Sequence, residues 1–195
     1  MSAPRGLGVI AKGGEVFMYS LPFQKKGGLQ IDVSLNGFEF KKLDSDFEIK
    51  IQKGKSENLK NLKDFRVSQL EKKYLLTYLK SYKGKTVLAL ASSKDLVNWQ
   101  KITQIAEIST PAMLVPEAKF KGKYTLLFGN GEIGIASSKN LKNWEIVKKP
   151  LIKPNGKLKK LLLPANIITT SAGIQLIYYE VSNVKKEKKY AIKTA

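Results

Sequence analysis

The chain has 195 residues, 43% of them hydrophobic, and a formal net charge of +19 at pH 7; that length is enough to bury one sizeable core. It contains neither Cys nor His, which excludes disulfides, thiolate and imidazole metal sites, and catalysis built on Ser-His or Cys-His pairs. No apolar run reaches the roughly 18 residues a membrane span requires, and Met1-Ser2-Ala3-Pro4-Arg5-Gly6 lacks the apolar stretch of a secretory signal, so the expected location is cytoplasmic.

Short runs rich in β-branched and aromatic residues follow one another, split by Gly, Asn, Asp and Lys; this is the pattern of strands and tight turns. Strands are predicted at Val16–Tyr19 and Gly28–Val33, followed by the stretch Ser34-Leu35-Asn36-Gly37-Phe38-Glu39-Phe40. A second group holds Arg66–Leu70, Tyr74–Tyr78 and Thr86–Ala91. A third holds Ala112–Val115, Tyr124–Phe128 and Ile133–Ala136. The fourth holds Ala165–Thr169, Ile174–Tyr179 and Tyr190–Ile192. Gly13-Gly14, Lys72-Lys73, Gly122-Lys123 and Ala172-Gly173 mark one tight turn per group. No segment keeps a 3.6-residue hydrophobic period over the length of a helix, so the expected class is all-β.

The groups are related to one another. Ala91-Ser92-Ser93-Lys94-Asp95-Leu96-Val97-Asn98-Trp99 returns as Ala136-Ser137-Ser138-Lys139-Asn140-Leu141-Lys142-Asn143-Trp144, with seven of nine positions identical. An offset of roughly 45 residues is the spacing of a repeat architecture, propellers among them. Ser34 to Phe40 shares the spacing, and Asn36, Asp95 and Asn140 each fall two residues after the Ser. Ser and Asx side chains accept hydrogen bonds from nearby backbone amides and so fix a turn between strands. The aromatic that ends each turn is expected to re-enter the sheet and wedge against the neighbouring unit. Each group then reads as an antiparallel blade, and blades set radially make a β-propeller. The expected organisation is one domain, 1–195, with about four blades near 8–43, 64–103, 111–148 and 161–195, in an incomplete or open ring.

Only two of the 35 basic residues are Arg, namely Arg5 and Arg66. Lys is the generic surface cation, whereas Arg suits planar, bidentate recognition. The charge therefore reads first as a solvated lysine coat, with nucleic acid an unlikely partner, and it singles out Arg66 within the body of the chain as a candidate ligand contact.

The blade-closing pattern Ala-x-Ser-x-Asp-Leu-x-Asn-Trp resembles that of the five-bladed propeller glycosidases, in particular glycoside hydrolase family 130, the mannoside phosphorylases and their hydrolytic relatives. Lys63-Asp64-Phe65-Arg66-Val67 is similar to that family's Glu-Asp-Pro-Arg-Ile/Val segment. Leu114-Val115-Pro116-Glu117-Ala118 resembles its Leu-Phe-Pro-Glu-Lys segment, and Leu163–Thr169 with Gly173–Val181 resembles its Pro-Pro-Ile-Lys-Thr and Leu-Ile-Tyr-His-Gly-Val region. The resemblance implies Asp64 as catalytic acid and Arg66 as a ligand contact. It places Glu117 as a second catalytic carboxylate, and Tyr78, Tyr179 and Glu180 as substrate-binding residues. It implies no metal and no cofactor. The family's His-Arg pair, which helps to bind phosphate, falls on Phe128-Gly129, and its Tyr-His-Gly places Tyr179 and Glu180 where His and Gly stand. Those departures point to a hydrolase rather than a phosphorylase.

Three functions follow as expectations. The first is a glycoside hydrolase or phosphorylase-like enzyme acting on β-mannosides or related oligosaccharides. The second is a non-catalytic propeller that binds carbohydrate or protein. The third is a basic module that binds polyanions. A further chain segment or subunit completing the propeller is an expected partner, alongside the oligosaccharide.

Overall fold

In the computed structural model, residues 7–21, 29–43, 47–52, 55–58, 62–120, 122–129, 131–154, 160–170, 173–184 and 187–195 are described, and their regular elements are all β-strands. The first sheet is the antiparallel meander β1 (Leu7–Lys12), β2 (Glu15–Ser20), β3 (Gln30–Ser34) and β4 (Lys41–Lys42). The second contains β5 (Glu48–Gln52), β6 (Lys55–Ser56), β7 (Leu62–Leu70), β8 (Lys73–Tyr82), β9 (Lys85–Ser93) and β10 (Asn98–Ile105), in the order β6-β5-β10-β9-β8-β7. The third is β11 (Ala112–Phe120), β12 (Lys123–Gly129), β13 (Ile133–Ser138) and β14 (Glu145–Ile146). The fourth is β15 (Lys160–Thr170), β16 (Gly173–Val184) and β17 (Glu187–Thr194).

The leading strands pack side by side: β1 against β7, β7 against β11, and β11 against β15. Sheets whose first strands share one side and whose later strands step outward make the radial arrangement of a propeller. The chain is thus an all-β, four-bladed part of such a fold. The second sheet is wider than the 64–103 unit, because β5 pairs with β10 in parallel through Glu48, Ile49 and Lys50 and brings β6 with it.

Among the described residues the hydrophobic interior is divided into three cores, each between two neighbouring sheets. Phe17, Tyr19 and Ile31 of the first sheet meet Phe65, Tyr78 and Trp99 of the second. Leu75, Leu79 and Leu88 of the second meet Leu114, Leu126 and Phe128 of the third. Met113, Val115 and Ile133 of the third meet Leu162, Ile167 and Leu176 of the fourth. Strand β8 shows why its sequence reads as nearly continuous Tyr-Leu-Leu-Thr-Tyr-Leu. Successive residues point to opposite faces, and both faces are covered, so Tyr74, Leu76 and Tyr78 enter the first core while Leu75 and Leu79 enter the second. Each such Leu contributes about 1.5–3 kcal/mol by leaving water.

The repeated turn has one hydrogen-bonding scheme in the first three sheets. Ser34, Ser93 and Ser138 Oγ each accept from the amide two residues on, that of Asn36, Asp95 and Asn140. Asn36, Asp95 and Asn140 Oδ1 each accept from the amides two and three residues on. The residue three after each Ser is left-handed, with φ of 78° at Gly37, 70° at Leu96 and 64° at Leu141. A Leu in that conformation costs about 1–2 kcal/mol, and burial of the Leu96 and Leu141 side chains offsets it. Trp99 and Trp144 follow, each donating its indole N–H to the carbonyl of that Leu, at 3.2 and 2.9 Å. Trp99 lies in the first core and Trp144 packs on the second. The Tyr19 hydroxyl donates to the same Leu96 carbonyl and pins the first sheet to the turn of the second.

Candidate functional site

Strand β7 leads the second sheet. Its residues alternate in direction, so Asp64 and Arg66 share one face while Phe65 turns to the other. Phe65 is buried in the first core. Arg66 pairs across the ladder with Thr77, whose hydroxyl donates to the Ala112 carbonyl of β11 at 2.5 Å. The Asp64–Arg66 face is therefore turned toward the third sheet. A bulge between Leu62 and Asp64 interrupts the ladder; such bulges re-aim side chains.

Asp64 and Arg66 form an ion pair on their own strand, with side chains 27% and 23% exposed. Asp64 Oδ1 accepts from the Phe65 amide at 2.7 Å and from Arg66 Nη1. Arg66 Nη1 also donates to the Phe65 carbonyl at 2.6 Å. Asp64 Oδ2 has no hydrogen-bond partner among the described residues. Beside the pair is a narrow depression, too tight to admit a water molecule, bordered also by Thr77, Tyr78, Pro111 and Ala112. What the pair offers to a polar group is its own partial exposure rather than an enclosed cavity.

The remaining predicted residues are distributed around this point. Tyr78 borders the depression, but its side chain is only 1% exposed and belongs to the first core, on the opposite face of the sheet. Its hydroxyl donates to Glu57 Oε2 at 3.1 Å. Glu180 pairs with Leu162, whose carbonyl abuts Gly129, at the same end of the sheets as Asp64 but two sheets away. Tyr179 pairs with Leu163 and Ile192, on the face of the fourth sheet turned away from the third core, and is 41% exposed. Glu117 lies five residues beyond Ala112 along β11, past the break in register after Leu114. That position is farther down the inner strand than Arg66, and the Glu117 side chain lies outside the described residues. The structure thus gathers Asp64 and Arg66 at one depression, with Tyr78 contributing only to its border.

Glu57 is a charged residue that sequence reading missed. Its side chain is 8% exposed, and Lys80 and Lys101 both pair with it, Lys101 at 2.9 Å. Burial alone would raise the Glu57 carboxyl, but hydrogen bonds from Lys80 and Lys101 outweigh it and hold the group below the usual carboxylate range. Burial also pulls the Lys80 ammonium down and, together with the Glu57 charge, pushes the Tyr78 phenol up. Nothing local in the sequence marks Glu57, since its partners come from β8 and β10. It sits on the Tyr78 face of the sheet, so it is no second carboxylate for Asp64. Among the described residues, no group of three or more acidic side chains could hold a metal ion.

Positions 128 and 129 are closed to a cation. Phe128 is buried in the second core against its ladder partner Gly134. A Cβ on Gly129 would stand 2.3 Å from the Leu162 carbonyl oxygen.

A sequence profile of the β-1,4-mannooligosaccharide phosphorylase family matches residues 15–195. A 1,2-β-oligomannan phosphorylase of Thermoanaerobacter sp. (strain X514) is 32% identical over 127 residues, which are 63% of this chain and 41% of that protein. The chain therefore spans less than half the length of that relative. A solved glycoside hydrolase of family 130 that targets β-1,2 mannosidic linkages in Candida mannan superposes with a TM-score of 0.78 at 19% identity, covering 97% of this chain and 65% of that one. The β-1,2-mannobiose phosphorylase of Listeria innocua, solved with β-1,2-mannobiose, superposes at 0.68 with 18% identity, covering 100% and 71%.

Proposed function

The chain belongs to glycoside hydrolase family 130, the β-1,4-mannooligosaccharide phosphorylase family, and from that premise we propose that it binds and cleaves β-mannosidic oligosaccharides at the Asp64–Arg66 pair. The observation that carries the reading is the pairing of these two side chains, both partly exposed, on the innermost strand of the second sheet. Arg66 orients a sugar hydroxyl or ring oxygen, and its guanidinium fork provides the directional donors for that task. Asp64 donates the proton to the leaving oxygen from Oδ2, since Oδ1 is held by the Phe65 amide and Arg66. Water rather than phosphate accepts the sugar, because buried Phe128 and tightly packed Gly129 supply no cation. The test is release of mannose from β-1,2- and β-1,4-mannobiose, with and without phosphate. Turnover independent of phosphate and abolished by Asp64→Asn supports the reading; turnover unchanged by Asp64→Asn defeats it.

A second reading is a binding propeller without turnover. It is favoured by the absence of a second carboxylate facing Asp64 among the described side chains. Glycoside cleavage ordinarily uses two carboxyl groups roughly 5–10 Å apart, and Glu57 is committed to the opposite face. Saturable mannoside binding with no product would establish it.

A further inference from the structure

We infer that the third sheet carries a second carbohydrate-binding site, a polar cleft for one neutral sugar unit, remote from Asp64. The sugar class rests on the carbohydrate reading; the cleft itself does not. It has a volume of about 210 Å³ and is lined by Lys123 of β12, Ser137 of β13, the turn residues Lys139, Asn140 and Asn143, and Glu145 of β14. Ala112, which borders the Asp64–Arg66 depression, pairs with Phe128 near the end of β12, whereas Tyr124 at the start of β12 pairs with Ser138. The two places are thus at opposite ends of the sheet.

The second sheet supplies a comparison within the same chain. Its turn places Ser92, Lys94, Asp95, Asn98 and Gln100 where the third has Ser137, Lys139, Asn140, Asn143 and Glu145. There the amides are engaged. Asn98 Nδ2 donates to Asp95 Oδ2 at 2.8 Å, Gln100 Nε2 donates to the Ile51 carbonyl at 3.2 Å, and β5 covers the outer edge of β10. In the third sheet Asn140 replaces Asp95. Its Oδ1 holds the Lys142 and Asn143 amides, and its Nδ2 is a donor that cannot accept from Asn143. Among the described residues, Asn140 Nδ2, the Asn143 side chain and the Ser137 hydroxyl have no hydrogen-bond partner, and no strand pairs with the outer edge of β14. Lys123 pairs with Glu145 at 3.3 Å across β13, so one charge of each sign is balanced. Uncharged amides and a hydroxyl are left, donors and acceptors that match adjacent hydroxyls of a sugar ring. The volume is below the roughly 300–1,000 Å³ of drug-sized pockets, which suits one ring rather than several. A site here holds a polymer away from the bond to be cut and raises its local concentration.

The test titrates the whole ¹⁵N-labelled chain with methyl α-mannoside and, separately, with inorganic phosphate. The expected result is saturable sugar-induced shifts at the backbone amides of Ser137, Asn140 and Asn143 and at the Asn143 side-chain amide, with a millimolar Kd, because few of these hydrogen bonds are shielded from water. Asn143→Ala is expected to weaken binding about five-fold. Asn140→Asp reinstates the acceptor that the second sheet has, engages Asn143, and should weaken binding similarly while the protein stays folded. No shift at the cleft, or shifts indifferent to both substitutions, overturns the inference. Phosphate moving the same amides more than the sugar does makes the cleft an anion site and overturns it too. The mannobiose turnover assay reads the Asp64–Arg66 pair separately, so product formed by a chain whose cleft is silent overturns this inference alone.

Discussion

Gly129→Ala isolates the contact between the third and fourth sheets. Gly129 ends β12, and an added Cβ would stand 2.3 Å from the Leu162 carbonyl oxygen, 2.8 Å from Leu163 Cδ2 and 3.0 Å from Leu163 Cα. The nearest atom is backbone of β15, so relief requires the fourth sheet to move rather than a side chain to rotate. Overpacking of this kind costs about 1–3 kcal/mol, and a backbone obstacle puts the value at the upper end. Replacing Gly by Ala stiffens the unfolded chain and returns roughly 0.4–1 kcal/mol. The expected net loss is about 2 kcal/mol, or about 4–8 °C in Tm for a chain of this size. The control is Gly131→Ala. That residue has φ of +76° and nothing within 4 Å of its added Cβ, so it carries only the conformational cost of about 1 kcal/mol. Urea denaturation followed by circular dichroism reads both. Should Gly129→Ala match the wild type within about 0.5 kcal/mol, or cost less than Gly131→Ala, the claim of direct backbone packing between β12 and β15 is wrong.

Asp95→Asn is expected to fold, since Asn36 and Asn140 fill the same place in the equivalent turns, and to lose about 1 kcal/mol at pH 7. Although burial works against its charge, hydrogen bonds from Asn98, Val97 and Ser93 hold the Asp95 carboxyl well below the usual range. A depressed carboxyl stabilises the fold above its unfolded pKa of about 3.9 and loses that contribution as pH falls, so wild-type and variant denaturation curves should converge in acid. Glu57→Ala leaves Lys80 and Lys101 without their partner and should cost about 3 kcal/mol; adding Lys80→Met should recover part of it, and a double-substituted protein no more stable than the single one would contradict the pairing. Tyr19→Phe removes the hydroxyl that reaches the Leu96 carbonyl and is expected to cost about 1 kcal/mol in the same assay.

The propeller was legible because its information is local and repeated. Ser93, Asp95 and Trp99 announce their turn within seven residues, and the same spacing at Ser34 and Ser138 announces the architecture. Strands β5 and β6 were not legible. Glu48-Ile49-Lys50-Ile51-Gln52 alternates as a strand should, yet its partner β10 lies beyond four intervening strands in the chain. At the site, Asp64 and Arg66 could be read because they are two apart on one strand. The burial of the Tyr78 hydroxyl against Glu57 could not, because it depends on lysines from β8 and β10. Likewise Phe128 and Gly129 read as lost functional positions, whereas their coordinates add a positive reason for those residues in the form of the Gly134 and Leu162 contacts.

Because each hydrophobic core belongs to a seam rather than to a sheet, no sheet holds an interior of its own among the described residues. Among the described residues, the two middle sheets are supported from both sides, and the first and fourth are each supported from one. Thermal opening should accordingly begin at the flanks and travel inward. The slowest amide exchange is expected in β8 and β9, where Leu75, Leu76, Leu88 and Leu90 are shielded from both directions.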